Sequence, residues 1–249
     1  RSLFLRGHRV RVSFERIEEN WTRGAYLEHL KEFQKEYPEF VYDFSQVRRD
    51  RLVKILLLVR IMLTYRRFLC VPGQSTYYRD RYITYLPFAL KIALGIPLLS
   101  LLTKSFLKSS VVEKILLFFE YKVPPYAPIR EEIERMNPDV VISSAGNLIL
   151  SSADVEYIKA AASLGIPTIF PVISWDYLAT KGILPPYLNE VLVWNKAQLK
   201  EAKEHHHVPD ACMHVTGAPY FDDWFTAHKP SMTRKEFCAL HKLRAEDPI

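Results

Sequence analysis

Cysteine is scarce: three in 249 residues, Cys70, Cys212 and Cys238, odd in number and far apart. Neither a disulfide framework nor a CxxC metal site can be drawn from them, and a reducing cytoplasm is the compartment they fit. The common signatures of nucleotide and metal chemistry are missing too. There is no P-loop, GxGxxG, HExxH or GxSxG, and no Cys/His cluster, which disfavours an autonomous kinase, dehydrogenase, hydrolase or zinc enzyme. The first residues lack an apolar core followed by a small-residue cleavage site, so no signal peptide is read there. Long unbroken apolar runs are absent as well. Residues 83–102 come nearest to a membrane span, but Lys91 near the middle and the helix breakers Pro87 and Pro97 make spanning costly. Buried or interfacial helices are expected there. No repeat or low-complexity tract is present.

What remains is an ordinary globular composition, 49% hydrophobic and 25% charged, long enough to bury a core of its own. Net charge is +6 and the pI about 9.1. The excess is local. Nine basic residues, Arg48, Arg49, Arg51, Lys54, Arg60, Arg66, Arg67, Arg79 and Arg81, face only Asp50 and Asp80 in the same stretch. Such a run is either a patch for anionic lipid or phosphate, or a helix face whose arginines pair with acids elsewhere.

Along the chain, residues 3–7 read as the end of a helix closed by Gly7, followed by a strand. An α/β domain opens with a strand before such a helix, so a fragment of a longer protein is expected. Residues 22–37 read as a helix and 40–44 as a short strand. Residues 48–136 are helical, cut by Pro87, Pro97, Pro124, Pro125 and Pro128, with Leu52, Ile55, Leu56, Val59, Ile61 and Leu63 as a broad apolar stripe. The pattern then turns regular. Asp139-Val-Val-Ile-Ser143 reads as a buried strand, 151–165 as a helix started by Ser151 with Asp154 and stopped by Gly165, and 166–173 as a strand. Residues 190–194 read as a strand, 196–206 as a helix capped by Asn195, 213–217 as a strand and 237–243 as a helix. Strands alternating with helices predict an α/β, Rossmann-like parallel sheet over 1–249 with a helical insertion at about 48–136.

In a parallel sheet, ligands bind beyond the carboxyl ends of the strands. That rule selects Ser143, Ser144, Gly146 and Asn147, then Ser174, Trp175 and Asp176, then Asn195, then Thr216 and Gly217. The first loop suits close backbone approach and an anion at a helix start, and equally a plain strand-to-helix turn. An aspartate directly after an apolar strand suits a general base or an acceptor anchor, and a tryptophan beside it suits a sugar face. An Asx-type turn with a core tryptophan is the alternative. His205, His206 and His207 are about 100° apart on a helix and do not share a ligand sphere. His8 precedes a strand, at the wrong sheet edge. Asp222 and Asp223 suit a helix start as well as a metal. No metal site is expected.

Several of these stretches together resemble a family of bacterial GT-B-type glycosyltransferase-like proteins, of the surface-polysaccharide and CDP-glycerol glycerophosphotransferase kind. Leu5-Arg-Gly-His-Arg-Val10 is similar to the RGHxV that closes the first helix in many such enzymes. The run from Asn137 to Ser143, Gly165-Ile-Pro-Thr168, Ser174 through Gly182, Val191 through Gln198 and Val215 through Phe225 resemble the family in order. Where the family usually has Ser-Trp-Asp followed by Asn, this chain has Tyr177. The resemblance is best over 138–225 and extends to the helical region only in character. It implies the N-terminal, acceptor-binding half of a glycosyltransferase, with Asp176 catalytic and the other loop residues contacting substrate. It further implies no bound cofactor, a nucleotide-sugar in a C-terminal domain outside this chain, and a carbohydrate or lipid-linked acceptor. The basic helices 48–81 would place it peripherally on the inner face of the membrane; no nucleic-acid partner is expected. A glycerol-phosphate transferase, a UDP-sugar 2-epimerase and a non-catalytic binding domain are the alternatives.

Overall fold

In a computed structural model the described residues are 3, 6–14, 23–73, 75–143 and 152–246. Strand β1 (Arg11–Phe14), helix α1 (Arg23–Glu36) and strand β2 (Val41–Phe44) form a parallel pair in register Arg11↔Val41 to Phe14↔Phe44. Gly7 ahead of β1 has φ +81°, with the His8 amide on the Leu3 carbonyl at 3.1 Å, the left-handed turn expected of a helix stop. Six helices then follow among the described residues: α2 (Val53–Cys70), α3 (Thr76–Ile83), α4 (Phe88–Gly95), α5 (Pro97–Lys108), α6 (Ser110–Lys122) and α7 (Ala127–Met136). The chain returns to alternation with β3 (Val141–Ile142), α8 (Ser152–Ser163), β4 (Thr168–Pro171), α9 (Tyr177–Thr180), β5 (Glu190–Val193), α10 (Lys196–His206) and β6 (Met213–Val215). Short helices α11 (Asp222–Thr226) and α12 (Arg234–Leu240) finish it.

The strands β3-β4-β5-β6 form a four-stranded, all-parallel sheet in that order. The fold is therefore α/β with a parallel sheet, as the alternation requires. Phe170, Val191, Val193, Ala202 and Met213 make one core between the sheet and α10. Ile129, Ile133, Ala160 and Ala161 make another between α7 and α8. The largest cluster lies in the helical layer, around Leu63, Tyr65, Phe68, Tyr82 and Leu107, and includes Val155 of α8 and Ile183. Each large apolar side chain fully buried this way contributes about 1.5–3 kcal/mol. Gly165 closes α8 at φ +71°, with the Ile166 amide on Ala161 and its own amide on Ala162, a complete Schellman pair. Ser151 lies outside the described residues.

Three expectations change. The strand read at 139–143 pairs over two residues only, and Ile142 is half exposed, because β4 is its one partner among the described residues. The helix read at 237–243 runs instead from Arg234 to Leu240, started by a capping box in which Thr233 and Glu236 satisfy each other's backbone. The basic run is also not a single solvated patch. Arg48, Arg60, Arg66 and Arg67 are buried, whereas Ile55 of the expected apolar stripe is exposed. Arg60 and Arg67 stand two turns apart on the buried face of α2, in line with Leu56 and Leu63.

Burial is tolerable because each guanidinium meets acceptors from distant segments. Arg60 bonds Glu120 of α6 through Nε (3.0 Å) and Nη2 (2.9 Å), and Glu156 of α8 through Nη2 (2.7 Å). Arg48 holds Asp50 in a two-bond fork and reaches Glu156 at 2.9 Å. Lys159 donates to the Glu120 carbonyl, and the Tyr187 hydroxyl donates to Glu120 Oε1 at 2.6 Å. Glu120 and Glu156 are wholly buried. This network ties the segment after β2, the helical layer and the β4–β5 connection together.

Candidate functional site

Because the four strands are parallel and adjacent, their carboxyl ends lie along one edge: Ser143 after β3, Ser174–Asp176 after β4, Asn195 after β5, Thr216 and Gly217 after β6. The ladder runs into these loops. The Ser143 amide bonds Ile169, the Val172 amide bonds Leu192, and the Thr216 amide bonds Val193, all at 2.9–3.0 Å. The sheet winds in one direction throughout, so no reversal of strand order lies within it.

Asp176 is the most constrained member. Its Oδ1 accepts from Ser174 Oγ at 2.8 Å and its Oδ2 from Thr180 Oγ1 at 3.1 Å. Partial burial opposes ionisation, but these two bonds, its backbone and the nearby Lys181 charge outweigh it and hold the carboxyl below its usual value. A base works best with a pKa near the operating pH, so this carboxylate is better suited to anchor hydroxyls than to abstract their protons. Trp175 beside it is 76% exposed, not a core residue.

Gln198 of α10, a residue the sequence reading passed over, joins two of the loops. It is buried, and its Nε2 donates to the Ser174 and Trp175 carbonyls (3.0 and 3.4 Å) while its Oε1 accepts the Trp194 amide at 2.8 Å. Its own amide bonds Asn195 Oδ1 at 3.0 Å. Asn195 is therefore the expected helix cap, with its oxygen engaged and Nδ2 left as the donor for a ligand. The sequence signal was available: a cap residue followed three positions later by Gln is the capping-box spacing.

The short helix α9 behind Asp176 is held from the far side. Arg67 donates to the carbonyls of Leu178, Ala179 (3.1 Å) and Lys181 (2.8 Å), completing the helix's last turn. Burial lowers the Arg67 pKa to about 10. His206 completes the clamp. Nε2 bonds the Leu178 carbonyl at 2.7 Å and Nδ1 accepts the Leu184 amide at 3.1 Å, which requires the neutral ring with its proton on Nε2. Burial, aided by Arg67, pushes its pKa well below the ordinary value. The middle histidine of the triplet is thus a structural bracket.

At the last strand Gly217 has φ +81°, a conformation other residues adopt only with strain. It turns the chain into Pro219–Phe221, where Phe221 packs edge-on against Trp194 at 5.6 Å and Tyr220 is exposed. Asp222 and Asp223 open α11, the place helix-start acids are expected. Ser143 is buried, and its Oγ has no partner among the described residues. Ser144, Gly146 and Asn147 lie outside the described residues. Ser174, Trp175, Asp176 and Asn195 are thus brought together through Gln198, and Thr216 and Gly217 adjoin them across β5.

No group of three or more potential metal ligands occurs among the described residues. A cavity of about 430 Å³ lies at the opposite, amino-end side of the sheet, lined in part by Lys159, Gly165, Pro167, Tyr187 and Asn189. Its polar groups serve structural bonds: Tyr187 and Lys159 to Glu120, Asn189 to Thr168. Comparison with protein families, with curated proteins and with solved structures finds no match.

Proposed function

We propose that the chain is the acceptor-binding half of a GT-B-type glycosyltransferase, which moves a sugar from a nucleotide-sugar to a surface-polysaccharide or lipid-linked acceptor on the cytoplasmic side of a membrane. The observation that carries the reading is the exposed Trp175 next to the hydrogen-bond-fixed Asp176 at the carboxyl edge of the parallel sheet. An aromatic face and an adjoining carboxylate suit the apolar face and the hydroxyls of a sugar ring. Ser174, Asn195, Thr216 and Gly217 extend the same edge, with Ser143, Ser144, Gly146 and Asn147 assigned to it by sequence position. The nucleotide-sugar belongs to a second domain under this reading, and Asp176 positions the acceptor hydroxyl.

In an enzyme with both halves, Asp176→Asn is expected to raise acceptor KM about tenfold or more, the worth of one charge-assisted hydrogen bond, with a smaller effect on kcat. Unchanged KM and kcat would remove Asp176 from the site. A large loss of kcat at constant KM would make it the base instead. A carboxylate fixed by two hydroxyl donors beside an exposed tryptophan fits a second reading as well, a carbohydrate-binding domain without chemistry of its own. That reading predicts binding of saccharide with no response to any nucleotide-sugar.

A further inference from the structure

Helices α4, α5 and α6 carry an apolar surface turned the wrong way for water. On α5 the side chains of Leu98, Leu101, Leu102 and Phe106 are 71%, 65%, 59% and 64% exposed, whereas Ser100 is 7% exposed. At 100° per residue, Leu98, Leu102 and Phe106 fall within about 80° of one another, and Ser100 and the buried Leu107 lie on the opposite side. On α6, Val112 and Leu116 face the core, while Val111, Ile115 and Phe118 form a second, exposed stripe. Phe88 and Ile92 continue the surface on α4. Helix α5 packs on both α4 and α6, and α5 and α6 both pack on α2, so the outward stripes share the side turned away from α2. Contiguous exposed apolar surface of this kind marks an interaction site.

Its charge identifies the occupant. Lys91, Lys114 and Lys122 border or interrupt the stripes, and none of them has a carboxylate partner among the described residues. The two acids between Phe88 and Lys122 are engaged elsewhere: Glu113 pairs with Arg66 (3.0 Å), and Glu120 is buried in the arginine network. A second copy of this chain would set lysines against lysines. Helices of 8, 12 and 13 residues are far below the length needed to cross a bilayer, and no helix among the described residues is long and apolar enough to do so. Short amphipathic helices with Leu and Phe outward and lysines alongside fit the plane of a lipid interface.

We infer that α4–α6 form a monotopic docking surface for an anionic phospholipid bilayer, with the leucine and phenylalanine side chains among the acyl chains and the lysines at the headgroups. This moves the membrane contact from the basic run at 48–81, four of whose arginines are internal, to the next three helices. It does not depend on the sugar-transfer reading, because vesicle binding reads neither donor nor acceptor.

The test is flotation of the protein with phosphatidylcholine vesicles, with and without phosphatidylglycerol, at low and raised salt. Partition onto anionic vesicles is expected, much weaker on neutral ones and weakened by salt. Lys91→Gln and Lys114→Gln should each lower it about fivefold. The triple change Leu98→Asp, Leu102→Asp and Phe106→Asp should abolish it, with an unaltered thermal melt because all three side chains are exposed. A Phe106→Trp variant supplies the position directly: the fluorescence of the introduced indole should shift blue and be quenched by brominated lipid. Protein that stays off anionic vesicles, binding that survives the triple change, or an indole signal in the Phe106→Trp variant indifferent to bound lipid would overturn the inference. Self-association of the parent that the triple change abolishes, without vesicle binding, would assign the surface to a second copy instead.

Discussion

Glu156 is the carboxylate on which the interior charges converge, and its removal gives the sharpest stability prediction. It is wholly buried and accepts three hydrogen bonds, from Arg48 Nη1 (2.9 Å), Arg60 Nη2 (2.7 Å) and the Tyr126 amide (3.3 Å). Replacing it with leucine leaves Arg48 with Asp50 and the Pro124 carbonyl, and Arg60 with Glu120 alone. One interior positive charge is then uncompensated. Breaking a buried pair in this way costs about 3–5 kcal/mol. For a chain of this size each kcal/mol lowers Tm by about 2–4 °C, so the melt should fall by roughly 6–20 °C. Circular dichroism melts and urea titrations of Glu156→Leu measure both quantities. A second change, Arg60→Met in the same background, should restore part of the loss, since an apolar replacement no longer requires a counter-charge. A loss under about 1 kcal/mol for Glu156→Leu, well below the buried-pair range, would refute the claim that this network holds the helical layer to the sheet.

Three further outcomes are expected. His206 is neutral and buried in the folded protein while the unfolded chain takes up a proton below the ordinary value of 6.5. Its contribution to stability is therefore complete above that pH and is lost as pH falls, at up to about 1.4 kcal/mol per pH unit; in urea titrations His206→Gln should be less stable at neutral pH but show a flatter slope between pH 6.5 and 5 than the parent. Gln198→Ala leaves the Trp194 amide and the Ser174 carbonyl without their partner, so a loss of about 1–3 kcal/mol and faster amide exchange at both loops are expected, read by hydrogen exchange. Thr180→Val removes one of the two hydroxyl donors to Asp176 and should raise its pKa toward the ordinary aspartate value, measurable by NMR titration of the carboxyl carbon.

Local signals were legible and distant partnerships were not. Asn195 caps α10 and Gly165 closes α8 because both act on residues within one helical turn, and the sequence displays that spacing. The strands β4, β5 and β6 were readable from the alternation of short strand segments with helices. The arginines of α2 were not, because what makes their burial possible lies 60 residues away at Glu120 and 96 away at Glu156 for Arg60, and 111 away at Leu178 for Arg67. Periodicity alone sets Arg60 and Arg67 in line with Leu56 and Leu63, and hydropathy argues against believing it. Helix α9 is four residues long and owes its shape to Arg67 and His206 from other segments, so its own sequence carries little signal. At the candidate site the loop positions followed from topology, and Asp176 was readable as polar and well placed. The two hydroxyls that bond it, Ser174 and Thr180, stand two and four positions away, but no capping pattern marks that spacing, so its role was not readable.

The central claim is that this sheet edge serves sugar transfer from a nucleotide-sugar donor. A thermal-shift titration of the protein expressed from its complete reading frame, against nucleotides and nucleotide-sugars, tests it most directly. The account predicts saturable stabilisation by one nucleotide-sugar, because a ligand that prefers the folded state raises its stability, followed by transfer to an acceptor that weakens in Trp175→Ala. Folded protein that responds to no nucleotide or nucleotide-sugar would contradict it.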